Sequence, residues 1–179
     1  MKLIKFKVSK GKNNPIPFTN QRLSWNINGV ESDIIFDSTC VYNLNNNDQY
    51  DWNKLIGMFG GISKNTSIRW GWRYNIDTKD IEICPFVHRN NKVGVEDKCN
   101  HEYIHVPLNK KFNVKIEIDR VNKRYILTYQ IDNMIPIILY CYADFKDKYD
   151  YFCLRNFLWF GGTSVAPNDI IVTYNYKIW

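Results

Sequence analysis

Residues 67–88 read Ser67-Ile-Arg-Trp-Gly-Trp-Arg-Tyr-Asn75, a polar Ile76-Asp-Thr-Lys79, then Asp80-Ile-Glu-Ile-Cys-Pro-Phe-Val-His88. Both halves alternate with period two, the pattern of strands with two chemically different faces. Ile68, Trp70, Trp72 and Tyr74 fall on one side, and Ser67, Arg69, Gly71 and Arg73 on the other. A turn over Ile76–Lys79 sets Asn75 opposite Asp80. The register then pairs Arg73 with Glu82, Arg69 with Phe86 and Ser67 with His88. One face of this hairpin is apolar. The other collects two arginines, a carboxylate, a phenyl ring and an imidazole, and is expected to face solvent and to carry a ligand.

Outward from the hairpin the same alternation recurs. Strands are expected over 1–8, 22–28, 32–42, 66–75, 80–88, 102–107, 111–120, 123–132, 136–142, 155–160 and 169–178. Phe112, Val114, Ile116 and Ile118 alternate with Asn113, Lys115, Glu117 and Asp119, and Tyr125, Leu127, Tyr129 and Ile131 follow after a short turn. Short strands separated by Asn, Asp, Gly and Lys clusters are the pattern of an all-β sandwich or barrel. One short helix is expected over Asp51–Met58, where Trp52, Leu55 and Ile56 recur at i, i+3 and i+4. At 179 residues the chain is read as one domain, 1–179. Its 16% aromatic content favours strands.

Bulk chemistry narrows the partners. The net charge of +6 favours anions, but the lysines are dispersed, so long nucleic acid is not expected as a partner. No apolar run approaches the ~18–20 residues of a membrane span, and no membrane partner is expected. The N-terminal Met1-Lys-Leu-Ile-Lys-Phe-Lys-Val alternates like a strand rather than running apolar like a signal peptide. Five cysteines without a Cys-x-x-Cys pair read as reduced thiols. A cytoplasmic protein with an idle Asn65-Thr66-Ser67 sequon is the resulting expectation.

Residues Lys115–Asn133 resemble the adjacent hairpin strands of the concanavalin A-like lectin and glucanase superfamily. The Ser67–Tyr74 strand, with Phe160-Gly-Gly-Thr-Ser-Val-Ala-Pro-Asn-Asp-Ile170, is similar to small jelly-roll proteins of gut bacteria and their phages. The resemblance implies an all-β, antiparallel two-sheet jelly-roll sandwich with at most one or two short helices. It also implies a ligand on the concave face or its rim.

Catalytic motifs fit poorly. Glucanases of this fold carry Glu-x-Asp-x-(x)-Glu on one strand; Glu117-Ile-Asp119 supplies the first half, but Arg120, Val121 and Asn122 follow. His101 and His105 stand four apart in a strand, about 13 Å, too far to share one ion. Asn45, Asn47, Asp48 and Asp51 lack the ligand order of a calcium loop. No Gly-x-Ser-x-Gly elbow occurs, and Gly60-Gly61 and Gly161-Gly162 precede no Lys-Ser/Thr pair. No metal and no cofactor are expected.

The expectation is therefore a non-catalytic protein that binds a small anionic ligand such as a cyclic nucleotide, sequestered as a phage counter-defence. An Asn-, Lys-, Ile- and Tyr-rich composition fits an AT-rich genome. Arg69 and Arg73 would neutralise phosphate, Phe86 and Trp159 would stack on a base, and Glu82 and His88 would orient it. Replacing both arginines by alanine is then expected to cost affinity but under about 1 kcal/mol of stability. The alternatives are a lectin-like carbohydrate-binding module and a structural or virion protein. A homo-oligomer is compatible with each.

Overall fold

The computed structural model describes residues 2–17, 22–25, 27–60, 66–89, 92–94, 103–142, 152–156 and 158–179. Fifteen strands lie among them. In chain order they are β1 (Ile4–Val8), β2 (Pro15–Ile16), β3 (Arg22–Trp25), β4 (Gly29–Phe36), β5 (Asn53–Gly60), β6 (Thr66–Asn75), β7 (Asp80–Arg89) and β8 (Lys92–Gly94). There follow β9 (Ile104–Val106), β10 (Phe112–Asp119), β11 (Arg124–Ile131), β12 (Ile137–Tyr142), β13 (Phe152–Asn156), β14 (Ile170–Tyr174) and β15 (Lys177–Ile178). Two single 3-10 turns, Ser38–Cys40 and Asn47–Tyr50, complete the described elements.

The strands form two antiparallel sheets, a jelly-roll-like sandwich as expected. One runs β12-β11-β10-β4-β14-β1-β2, with β15 also on β4. The other runs β3-β13-β5-β6-β7-β8, with β9 also on β7. Ile68, Trp70 and Trp72 from the second sheet are fully buried against Val114, Ile116, Leu127 and Val172 from the first. Period-two patterning thus sends alternate residues of β6, β10, β11 and β14 into one shared core.

The β6–β7 register is the expected one: Asn75 faces Asp80, Arg73 faces Glu82, Arg69 faces Phe86 and Ser67 faces His88. Asn75 shapes the turn locally, its Oδ1 accepting from the backbone N–H of Asp77 at 2.9 Å. Lys79 takes the left-handed conformation, φ 60°, that closes the loop.

Three expectations fail. The helix over Asp51–Met58 is instead strand β5. A β-bulge between Lys54 and Gly57 turns the consecutive Leu55 and Ile56 both inward, which imitates helical spacing in the sequence. The strand expected over 32–42 ends at Phe36, where Asp37 caps a 3-10 turn by accepting from the Thr39 N–H. The cysteines are not all thiols either: Cys40 and Cys84 are free and buried, but Cys141 is disulfide-bonded.

Candidate functional site

The face of β6 and β7 turned away from the shared core carries Ser67, Arg69, Gly71 and Arg73 beside Cys84, Phe86 and Glu82. The sequence led us to expect an open wet surface here, and the structure corrects that expectation. Arg69 is 7% exposed, Arg73 8% and Glu82 2%. Trp52, Cys84 and Phe86 form a second buried apolar cluster over it. Trp52 reaches this position because Gly71 lies beneath it; a Cβ there would stand 3.3 Å from the indole.

Arg73 is fully engaged. Its Nε donates to Glu82 Oε2 at 2.7 Å, and Nη1 donates to the Tyr50 carbonyl at 3.0 Å. The guanidinium lies 4.4 Å from the Trp52 ring centroid and 4.5 Å from that of Tyr103. Glu82 also accepts from Asn75 Nδ2 at 2.8 Å. Arg73 and Glu82, expected to bind phosphate and orient a base, hold each other under three aromatic side chains instead. Arginine's planar fork suits this role, since it can stack and pair at once.

Arg69 Nη2 donates to Ser67 Oγ at 3.1 Å, and its guanidinium lies 5.8 Å from the Phe86 ring centroid. Burial lowers its pKa to about 10, which leaves it charged at neutral pH. From β5, Lys54 approaches the same ring, with Nζ 5.6 Å from the centroid. That Nζ donates to the Gly161 carbonyl at 3.0 Å. Burial, and then the positive charge of Arg69, push the Lys54 pKa down to about 8, while Asp51 works in the opposite direction.

Trp159 joins this corner through the backbone. Its N–H and carbonyl exchange hydrogen bonds of 2.9 Å with Lys54, and its side chain is half-buried. The expected strand over 155–160 is thus β13, ending at Asn156, followed by this isolated bridge. The His88 side chain lies outside the described residues. The site therefore consists of Lys54, Arg69, Phe86 and Trp159, with Ser67 and the Gly161 carbonyl at its margins. Lys54 went unnoticed in the sequence because its segment read as a helix.

Gly57 makes the corner possible. A Cβ at Gly57 would stand 2.3 Å from the Ile68 carbonyl and 2.3 Å from Arg69 Cβ. Gly57→Ala must push β5 away from β6, and about 1–3 kcal/mol of stability should be lost in a urea titration. An unchanged midpoint would show that the two strands are not held this close.

The remaining polar groups singled out in the sequence are tied into the fold. Glu117 pairs with Lys115 at 2.9 Å, and Asp119 with Arg124 at 2.8 Å. The Asp48 carboxylate accepts from Thr163 and Ser164 across two loops. His105 lies 3.4 Å from Asp80, and His101 falls outside the described residues. Among the described residues no three His, Cys, Asp or Glu side chains are grouped to hold a metal, and no helix is long and apolar enough to cross a membrane.

No protein-family model and no curated protein matches the sequence. Solved structures do match the fold. A functionally unknown protein from Saccharomyces cerevisiae superposes with a TM-score of 0.55 at 7% identity, over 99% of this chain and 87% of its own. An alginate lyase from a Chlorella virus gives 0.56 at 10% identity, over 98% of this chain and 84% of its own. An alginate lyase from Klebsiella pneumoniae gives 0.57 at 10% identity, over 86% of this chain and only 59% of its own length. The shared feature is a two-sheet, jelly-roll-like β-sandwich.

That finding overturns one expectation. A non-catalytic protein was inferred from the missing glucanase carboxylates, yet enzymes named as lyases share this architecture. Absence of a hydrolytic acid/base pair excludes one route, not catalysis.

Proposed function

We propose that the outer face of the second sheet binds an acidic carbohydrate at Lys54, Arg69, Phe86 and Trp159. The observation that carries this reading is the pair of cations, 5.6 and 5.8 Å from the centroid of one phenyl ring. Lys54 and Arg69 supply charge for a carboxylate. The half-buried Trp159, bridged to Lys54, suits the C–H face of a sugar ring. The sandwich shared with alginate lyases supports a saccharide over the nucleotide expected from sequence. Arg73 and Glu82, which a phosphate reading requires, are engaged with each other. No structural relative named above supports a phage counter-defence role.

Calorimetric titration with uronic acid oligomers, neutral oligomers of equal length and mononucleotides tests the reading. Acidic oligomers should bind at least about tenfold more tightly than neutral ones, and the difference should shrink with salt. Lys54→Gln and Arg69→Gln should each cost about 1.5–3 kcal/mol of binding, the weight of a hydrogen bond to a charged group. Equal affinity for neutral oligomers, or nucleotide binding alone, would contradict the assignment.

Lys54 favours a second reading, elimination. A cation anchors the uronate carboxylate, and a neutral Lys54 accepts the proton beside it. The C–H electrons form the new C=C bond as the C–O bond to the glycosidic oxygen breaks, and that oxygen takes its proton from solvent water. The reduced pKa near 8 is what suits Lys54 to accept that proton. Appearance of an unsaturated uronate during incubation with the oligomers separates a lyase from a lectin-like binder.

The disulfide at Cys141 bears on location. Disulfides persist in oxidising compartments, so we assign the protein to one of these rather than to the cytoplasm.

A further inference from the structure

Two circumstances turn a lysine ammonium into a usable amine, an apolar wall and a neighbouring cation. Lys54 has both. The wall is Phe86, packed in one buried cluster with Trp52 and Cys84. The neighbouring cation is the buried Arg69, against the same ring. Lys54 remains half-buried rather than sealed, so a small molecule can reach it. Its Nζ is held by the Gly161 carbonyl, which fixes the group while leaving the lone pair of the neutral amine for an electrophile. The charge of Asp51 opposes deprotonation, and it does not outweigh burial and Arg69.

We propose that Lys54 is a reactive amine that forms an imine with a carboxylate-bearing aldehyde or ketone, the carboxylate resting on Arg69. The amine adds to the carbonyl carbon, and the carbonyl oxygen takes the proton released from nitrogen. Water then leaves as the C=N bond forms. The inference uses the same corner as the carbohydrate reading but does not require it. A free oxo acid and the open-chain end of an acidic sugar present the same two groups.

The test incubates the intact protein near pH 8 with glyoxylate, glucuronic acid or acetaldehyde in the presence of cyanoborohydride, which reduces an imine to a stable secondary amine. Peptide mass spectrometry then locates the modified lysines. With a pKa near 8, roughly half of Lys54 is neutral there, against under about 1% of an ordinary lysine. Glyoxylate should therefore modify Lys54 about tenfold or more ahead of the other lysines. Acetaldehyde, without a carboxylate, should show a smaller preference.

Selective labelling by glucuronic acid as well identifies a sugar end as an acceptable source; labelling by glyoxylate alone identifies a free oxo acid. Lys54→Arg keeps the charge and should abolish the dominant label. Arg69→Gln removes the carboxylate's seat and one of the two causes of the lowered pKa, so it should cut the glyoxylate preference for Lys54 several-fold without abolishing it, with a melting curve recorded alongside to confirm folding. Even labelling across the wild-type lysines, or an unchanged pattern in Lys54→Arg, overturns the proposal. Either result leaves calorimetric binding of acidic oligomers untouched, so the two readings fail separately.

Discussion

Arg73→Ala should lower the free energy of unfolding by about 3–5 kcal/mol, the usual cost of breaking a buried ion pair from one side. The substitution removes the 2.7 Å contact to Glu82 and leaves a carboxylate at 2% exposure with Asn75 as its remaining side-chain donor. It also strips the Tyr50 carbonyl of a donor and leaves Trp52 and Tyr103 without the cation beside them. The size of the effect comes from the stranded carboxylate rather than from the intrinsic strength of the pair. Combining Arg73→Met with Glu82→Leu should therefore recover most of the loss. Urea denaturation of the two single variants and the double variant closes the cycle. A loss under about 1 kcal/mol for Arg73→Ala, the result expected from an exposed pair, would show that this face is wet.

Trp72→Ala should cost about 3–5 kcal/mol, since a large ring leaves a cavity that the sheets cannot collapse to fill. Trp72 is fully buried where the sheets meet. Its ring lies 5.0 Å from Phe36, 6.0 Å from Tyr42 and 6.2 Å from Phe160. Phe36 comes from the first sheet, and Phe160 leads into the Gly161 carbonyl that holds Lys54. The alanine variant should loosen both the core and the site, visible as a lower denaturation midpoint and weaker binding of acidic oligomers. Trp72→Phe should be milder than its change in volume implies, because Trp72 Nε1 is buried without an acceptor among the described residues and the orphaned donor leaves with it.

The hairpin parity was legible because a period of two fixes which residues share a face, and cross-strand pairing follows from the turn. Burial on that face was not legible. Trp52, Tyr50 and Tyr103, which cover Arg73, lie far from it in sequence, and nothing in residues 67–88 announces them. Lys54 was hidden by the bulge, whose two consecutive inward residues imitate a helical stripe. A faint signal was present: Gly57, a glycine inside an apolar run, marks a close approach of backbones. The Cys141 disulfide was invisible for a related reason, since spacing along a chain says little about which thiols a sandwich brings together.

Calorimetric titration of a uronic acid oligomer as a function of pH tests the account most directly. Protonated Lys54 attracts the carboxylate and neutral Lys54 does not, so affinity should be steady below about pH 7 and fall as pH rises through about 8. Lys54→Arg, charged throughout this range, should bind without that fall. Binding that is flat across the same pH range in the wild type, or a fall that persists in Lys54→Arg, would mean that the acidic ligand does not sit between Lys54 and Arg69.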